Sequence, residues 1–325
     1  GLKRGDAGLT STMTFAASAN AFAYCGATPL ICDVDQENIH ISVAKAGQMI
    51  DDNANIKTIV PVHYCGLSAD VEGLRQRLGK NVTIIEDACH ALGGCDQNGD
   101  PVGKCVYSDM AVFSFHPVKP ITSAEGGMIT TNNPDLYSLL VKLRSHGIER
   151  DQSLWQNTPT RGEALPWYYE QQLLGFNYRM TEVQAALGLS QLKRLSSFTQ
   201  RRRQIVERYD SVFKKVKNFQ PIQSKQEMRK QSGHHLYVLR CDFKAIGLSR
   251  ESFMKELFNR NIGSQVHYIP IHRQPYHKNS QNWRAEDFPC AELFYSEALS
   301  IPLYHDLTDE DVEYVINSMT SISCN

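Results

Sequence analysis

A lysine flanked by two prolines closes the stretch "AVFSFHPVKP" (111–120), shortly before Glu125-Gly126-Gly127. Held near an apolar sheet edge, a lysine can have its pKa lowered. A neutral amine is the form that condenses with a carbonyl to give a Schiff base. Pro120 pushes Lys119 out of the helical region and Pro117 removes a backbone donor. The segment is therefore expected to leave its strand as a stiff, extended piece that fixes where the amine points. The competing reading is a surface lysine in a proline-rich turn.

If the carbonyl partner were pyridoxal 5′-phosphate, two needs would follow: an acid to keep the pyridine nitrogen protonated, and donors for the phosphate. "TIIEDACHALGG" (83–94) ends an apolar run with Glu86-Asp87, so one of these carboxylates would lie near the carboxyl end of a strand. Asp87 could equally cap a following helix. His90 is placed to bond the ring's phenolic oxygen, or is an ordinary interior histidine. Ser114 is a hydroxyl at an apolar strand end and could donate to phosphate. Phe15, in "TMTFAAS" (12–18), could stack on a ring face or simply belong to the core.

These residues need a frame. Apolar β-rich runs occur at 28–35, 56–64, 82–89, 110–115 and 126–131, and their lack of polar alternation suits strands buried on both faces. Several are separated by enough chain for a crossover helix, such as 68–79. The class is α/β, with a mostly parallel central sheet sandwiched by helices. In such sheets ligands gather beyond the carboxyl ends of strands, where Lys119 would sit. The chain divides into a large domain, 1–195, and a smaller C-terminal α+β domain, 196–325. The latter holds a long amphipathic helix, strands at 235–243 and 264–270, and a helix at 249–260. Thr181 and Gln184 form a capping box that starts a helix at about 182, with Val183, Ala186 and Leu187 on one face. Asn177 and Arg179 fall in the loop before it, where binding residues concentrate. The opening "GLKRGDAG" reads as the tail of a helix ending in a Gly-Asp turn.

Composition narrows the function. The chain has 325 residues, 42% hydrophobic and 21% charged, with a net charge of −1. That balance gives no basic field for nucleic acid or anionic membrane. The run Arg201-Arg202-Arg203 reads as the wet face of a helix. Nine cysteines, an odd number scattered without a CxxC pair, suit reduced thiols in the cytoplasm, and no metal spacing emerges. No apolar stretch reaches the roughly 20 residues of a membrane span. A nicotinamide oxidoreductase is disfavoured because no G-x-G-x-x-G follows an early strand.

Six stretches in order carry a resemblance: "TFAASANAFAYCGATPLICDVD", "VPVHYCGLSADV", "IIEDACHALGG", "FSFHPVKPITSAEGGMITTN", "GFNYRMTEVQAALGLSQLKRL" and "VHYIPIHRQPYH". Together, from about residue 5 to 320, the chain resembles the DegT/StrS-type nucleotide-sugar aminotransferases, which are pyridoxal-phosphate enzymes of fold type I. The resemblance implies that Lys119 is the Schiff-base lysine and proton carrier, and that Asp87 partners the pyridinium. It makes His90 the partner of the phenolic oxygen, Phe15 the stacking ring and Ser114 a phosphate ligand. Asn177 would reach the phosphate of the other subunit, which implies a homodimer with shared sites. Arg179 would meet an anionic group of donor or sugar nucleotide, and His267 would line the sugar site. "PWYYEQQLLGFNYRM", "GHHLYVLR" and "SQVHYIPIHRQPYH" resemble the subgroup that aminates C4 of a UDP-linked 4-keto-6-deoxy-N-acetylhexosamine on the way to pseudaminic acid, with L-glutamate as donor. Rival expectations are another NDP-4-keto or 3-keto sugar, and a silent remnant acting as a binding or structural protein. Sugar dehydratases of this fold carry histidine where Lys119 stands. Family chains also begin several tens of residues earlier, with a Gly-Thr/Ser-Ala turn that holds the phosphate at a helix N-terminus. A fragment or truncated product without it is expected to bind cofactor weakly and to be less stable.

Overall fold

The computed structural model describes residues 1–157, 166–222 and 226–323. Its first half runs β1 (Ala7–Ser11), α1 (Ala16–Tyr24), β2 (Thr28–Cys32), α2 (Val43–Asp52), β3 (Ile56–Val60), α3 (Val71–Leu78), β4 (Thr83–Asp87), β5 (Met110–Ser114) and β6 (Gly127–Thr130). These strands form one sheet in the order β2-β1-β3-β4-β5-β6, parallel except for the antiparallel edge strand β6.

Alternation builds the two faces. Leu9, Ile59 and Ile84 point to the side covered by α2 and α3, where Ala46, Val71 and Leu74 meet them. Their neighbours Val60 and Ile85 point to the opposite side, with Phe22 of α1. Each large aliphatic side chain so buried stabilises the fold by roughly 1.5–3 kcal/mol. Gly8 is required at the second face: a Cβ there would meet the Phe22 ring at 2.2 Å. The opening residues are not a helix tail; Gly5 turns the chain at φ 97° directly into β1.

The chain continues through α4 (Pro134–Arg144), the small pair β7 (Ile148–Glu149) and β8 (Glu170–Gln171), then α5 (Glu182–Leu192) and α6 (Leu195–Phe213). The Thr181–Gln184 capping box is present and α5 starts at Glu182 as expected. Its apolar residues meet no core in this chain, for Val183 is 81% exposed. A second sheet follows, from β9 (Phe219–Pro221), α7 (Gln226–Gln231), β10 (Tyr237–Cys241), α8 (Phe243–Ile246), α9 (Arg250–Asn259), α10 (Pro275–Gln281), α11 (Pro289–Glu297), β11 (Ala298–Ile301) and α12 (Asp309–Ser323). Its order is β11-β10-β9, all antiparallel. The strand expected at 264–270 does not form; Gln265 makes a single bridge to Ser300 and the rest is loop. Pro270 has no N–H to extend a ladder.

A shared core joins the two sheets. Met13, Ile31 and Tyr64 pack with Ile222, Val238, Ile271 and Phe294. Arg202 corrects the expectation of a wholly wet basic run. It is buried, and its guanidinium donates to the carbonyls of His234, His235 and Leu303 at 2.8–3.2 Å. No helix among the described residues is long and apolar enough to cross a membrane.

Candidate active site

Asp87 is the last residue of β4, and Ser114 the last of the neighbouring β5. Lys119 follows β5 in a tight turn, not in the extended segment its prolines suggested: its N–H donates to the His116 carbonyl at 2.9 Å. Pro117 occupies the second position of that turn, where its fixed φ is favourable. The prolines still stiffen the segment, but by making a turn that brings the amine back over the sheet edge. Burial pushes the Lys119 ammonium below its ordinary pKa, against the opposing pull of Cys89 and Asp87. Burial also raises the Cys89 thiol far above its usual range, so the thiol stays neutral beside the amine.

The choice between the adjacent carboxylates is resolved by their faces. Glu86 turns away and is buried against His63 Nε2 at 2.7 Å, with the Ser108 hydroxyl on its other oxygen. Asp87 faces Lys119. Ser18 Oγ donates to Asp87 Oδ2 at 2.6 Å, the Thr14 hydroxyl meets Ser18 at 2.8 Å, and the Cys89 N–H reaches Oδ1 at 3.2 Å. This chain of hydroxyls from the start of α1 holds the carboxylate in one orientation.

His90 lies in the turn after β4. Its Nε2 is 2.8 Å from the Tyr268 hydroxyl, while Nδ1 is buried without a partner. The Tyr268 ring also stands 6.0 Å from Phe15, which is 62% exposed at the N-cap of α1. His235 packs against His90 with centroids 4.5 Å apart. His267 bonds Ser300 Oγ through Nδ1 at 2.8 Å. Burial, reinforced by Lys119, keeps all three imidazoles neutral: His267 is pushed down to about 4, and His90 and His235 well below their ordinary value. Gly66, at φ 100°, permits this crowding, since a Cβ there would lie 2.7 Å from the His234 nitrogen and 2.8 Å from the His90 carbonyl.

Lys119, Asp87, His90 and His267 thus come together, with Phe15 joined to them through Tyr268. Ser114 sits five residues before Lys119, its hydroxyl accepting from the His116 N–H at 3.3 Å. Asn177 and Arg179 are exposed and lie elsewhere: Asn177 forms a bridge with Ser145, and Arg179 lines a cleft with Tyr137, Glu149 and Arg150. Sequence reasoning missed Ser18, His235 and Tyr268. The "ASAN" turn of α1, the His-His pair and the "HYIP" stretch were each on view, but only tertiary approach gives them a role.

A half-buried amine of lowered pKa, an oriented carboxylate, an open aromatic face and an unsatisfied imidazole nitrogen suit one kind of group. It has an aldehyde, a basic ring nitrogen and an anionic ring oxygen, and pyridoxal phosphate has all three. Fold and site define a fold-type I Schiff-base enzyme. The DegT/DnrJ/EryC1/StrS aminotransferase family matches residues 1–320, and the chain belongs to that family. It is accordingly a pyridoxal-phosphate-dependent sugar aminotransferase.

Among its relatives is the spore coat polysaccharide biosynthesis protein SpsC of Bacillus subtilis, 34% identical over 324 residues, covering 99% of this chain and 80% of SpsC. Two solved structures are similar at TM-score 0.86 and 30% identity. One is the sugar aminotransferase Spr1654 of Streptococcus pneumoniae in its PMP-form, covering 99% of this chain and 82% of that one. The other is PseC of Helicobacter pylori, an aminotransferase involved in pseudaminic acid biosynthesis, covering 98% and 80%.

Proposed function

We propose that the chain aminates C4 of a UDP-linked 4-keto-6-deoxy-N-acetylhexosamine, with L-glutamate as amino donor and 2-oxoglutarate as co-product. This is the reaction of a UDP-4-amino-4,6-dideoxy-N-acetyl-β-L-altrosamine transaminase. The observation that carries the chemistry is the half-buried Lys119 amine within electrostatic reach of Asp87, just beyond the ends of β4 and β5. The likeness to PseC supports the choice of sugar.

Pyridoxal phosphate, when bound, supplies the carbonyl that takes up nitrogen and a ring that accepts electrons as a proton leaves carbon. Lys119, with a pKa lowered by burial, takes that proton as a neutral amine and returns it as an ammonium. Asp87, held by Ser18, keeps a proton on the ring nitrogen. His90 donates to the ring oxygen and Phe15 covers a ring face. Ser114, and Asn177 from a second subunit, bind the phosphate. Arg179 meets an anionic group of donor or nucleotide, and His267 lines the sugar pocket. A homodimer with shared sites suits the exposure of the Asn177 loop and of α5 beside it. The unpaired state of the eight described cysteines suits a cytoplasmic enzyme.

The test is a near-visible spectrum of the chain loaded with pyridoxal phosphate, taken before and after L-glutamate and then after the keto sugar nucleotide. Loss of the yellow band with glutamate and its return with the UDP-4-keto sugar supports the proposal. Return only with a 3-keto sugar, or with a nucleotide other than UDP, overturns the choice of substrate. No response to glutamate while glutamine bleaches the band overturns the donor.

A further inference from the structure

His90 has two ring nitrogens in unlike situations: Nε2 is satisfied by Tyr268, and Nδ1 is enclosed with nothing to bond. A neutral imidazole carries one proton, so the nitrogen that holds it decides whether His90 offers a bound group a donor or a lone pair. The partner at Nε2 makes that decision. A phenol is a stronger acid than a neutral imidazole N–H, and an imidazole lone pair is a stronger base than a phenol oxygen. Between the two, the better hydrogen bond runs from the Tyr268 O–H to Nε2. The single ring proton then resides on Nδ1, where it is a buried donor without an acceptor. Such groups are rare in native structures and call for an explanation, an absent ligand among them.

We propose that Tyr268 is a positioning residue that fixes the tautomer of His90, so that Nδ1 carries the proton offered to the anionic ring oxygen of bound pyridoxal phosphate. The proposal rests on the reading of His90 given under Proposed function. Three further features hold the pair in place. The Tyr268 ring stands beside that of Phe15, with centroids 6.0 Å apart. His235 lies against the His90 ring at 4.5 Å and limits its rotation. His235 is itself anchored, because its N–H donates to the Cys65 carbonyl at 3.0 Å and its carbonyl accepts from buried Arg202. The neutral state of His90 follows from its burial beside Lys119, so protonating both nitrogens does not bypass the choice.

The tautomer is read directly by nitrogen NMR of the full chain labelled at histidine, without cofactor, with the His90 signals assigned by their loss in His90→Gln. The proposal expects a protonated Nδ1 and an unprotonated Nε2 in the parent chain. A protonated Nε2 overturns it, and this reading needs no variant of Tyr268. Pyridoxal phosphate affinity is then measured for the parent, Tyr268→Phe, His90→Gln and the double variant. Tyr268→Phe is expected to weaken binding about three- to tenfold, the usual scale of one hydrogen bond. Glutamine donates through an amide that has no tautomer to set, so Tyr268→Phe is expected to add nothing in the His90→Gln background. An equal loss in both backgrounds would show that Tyr268 acts by packing alone, and would overturn the proposal. Borohydride reduction followed by peptide mapping reports separately whether the cofactor is joined to Lys119. Its failure would sink the site reading and leave the tautomer measurement standing.

Discussion

The sheet edge around Lys119 and the outer flank formed by β6, α4 and α5 differ in how far each is finished by its own chain. At the edge, residues from α1, β4, the turn after β4, the 264–270 loop and β11 are joined by hydrogen bonds of 2.6–2.8 Å. On the flank, α4 and α5 bury no side chain, and Leu174 between them is 89% exposed. Chemistry that depends on amine, carboxylate and imidazole is therefore set within one subunit. Under the proposed function, the Asn177 loop, which belongs to the flank, serves the site of a second subunit.

The largest effect is expected at the edge. Lys119→Ala removes the amine proposed both to form the Schiff base and to carry the proton, and is expected to abolish turnover and borohydride trapping together. Turnover that survives without trapping would move the chemistry to another residue. Asp87→Asn is expected to leave trapping intact and to slow turnover by about 10²–10³-fold, the scale of losing one charge-stabilising group in a closed site. An equal loss from Glu86→Gln with Asp87→Asn near normal would show that the wrong carboxylate has been chosen. Those two carboxylates point to opposite faces of β4, so the pair of variants tests the alternation itself.

Much of the edge was legible in the sequence, and the reasons are local. Pro117 and Pro120 bracket Lys119, and Asp87 closes an apolar run, so residue type and neighbours were enough to single them out. Turn geometry was not legible, because proline restricts φ without saying whether the chain continues or folds back. β1 escaped notice because "AGLTS" contains Gly8, which makes room for Phe22, and Thr10, whose hydroxyl bonds the Val60 carbonyl; neither is an aliphatic strand marker. The 264–270 stretch erred the other way. Its alternation is that of a strand, yet Tyr268 is drawn to His90, 178 residues distant in sequence. Such contacts are made by the assembled sheets and have no local signature.

A smaller effect is expected from acid. His90, His235 and His267 at the edge, with buried His40 and His234 pushed down to about 3, stay neutral in the folded chain. The unfolded chain takes up protons at these residues from about pH 6.5 downward. Their folded pKa values are lowered, so stability is lost as pH falls from about 6.5 towards 4. Each histidine contributes a slope of about 1.4 kcal/mol per pH unit. Urea midpoints at pH 7, 6 and 5 are expected to fall in that order, and His40→Asn is expected to flatten the trend by about one proton. A midpoint independent of pH would mean that these rings are protonated in place or open to water.

The finest test asks whether the flank completes the edge of a neighbour. Lys119→Ala and Asn177→Ala are each expected to be impaired alone. In a heterodimer of the two, a shared architecture puts both changes into one site and leaves the other with the native Lys119 and Asn177. Random mixing of a symmetric dimer then restores about a quarter of the native sites. If Asn177 served its own subunit, every site in the mixture would carry one lesion or the other, and activity would be no more than the mean of the two parents. Val183→Asp supplies the counterpart. Val183 is 81% exposed in the single chain, so a charge there is expected to shift unfolding of the isolated subunit by only about 0.5 kcal/mol. The same charge is expected to prevent restoration in the mixing experiment, since it must be buried if α5 packs on a partner. Restoration undiminished by Val183→Asp would place the subunit contact elsewhere, while leaving the sharing of Asn177 intact.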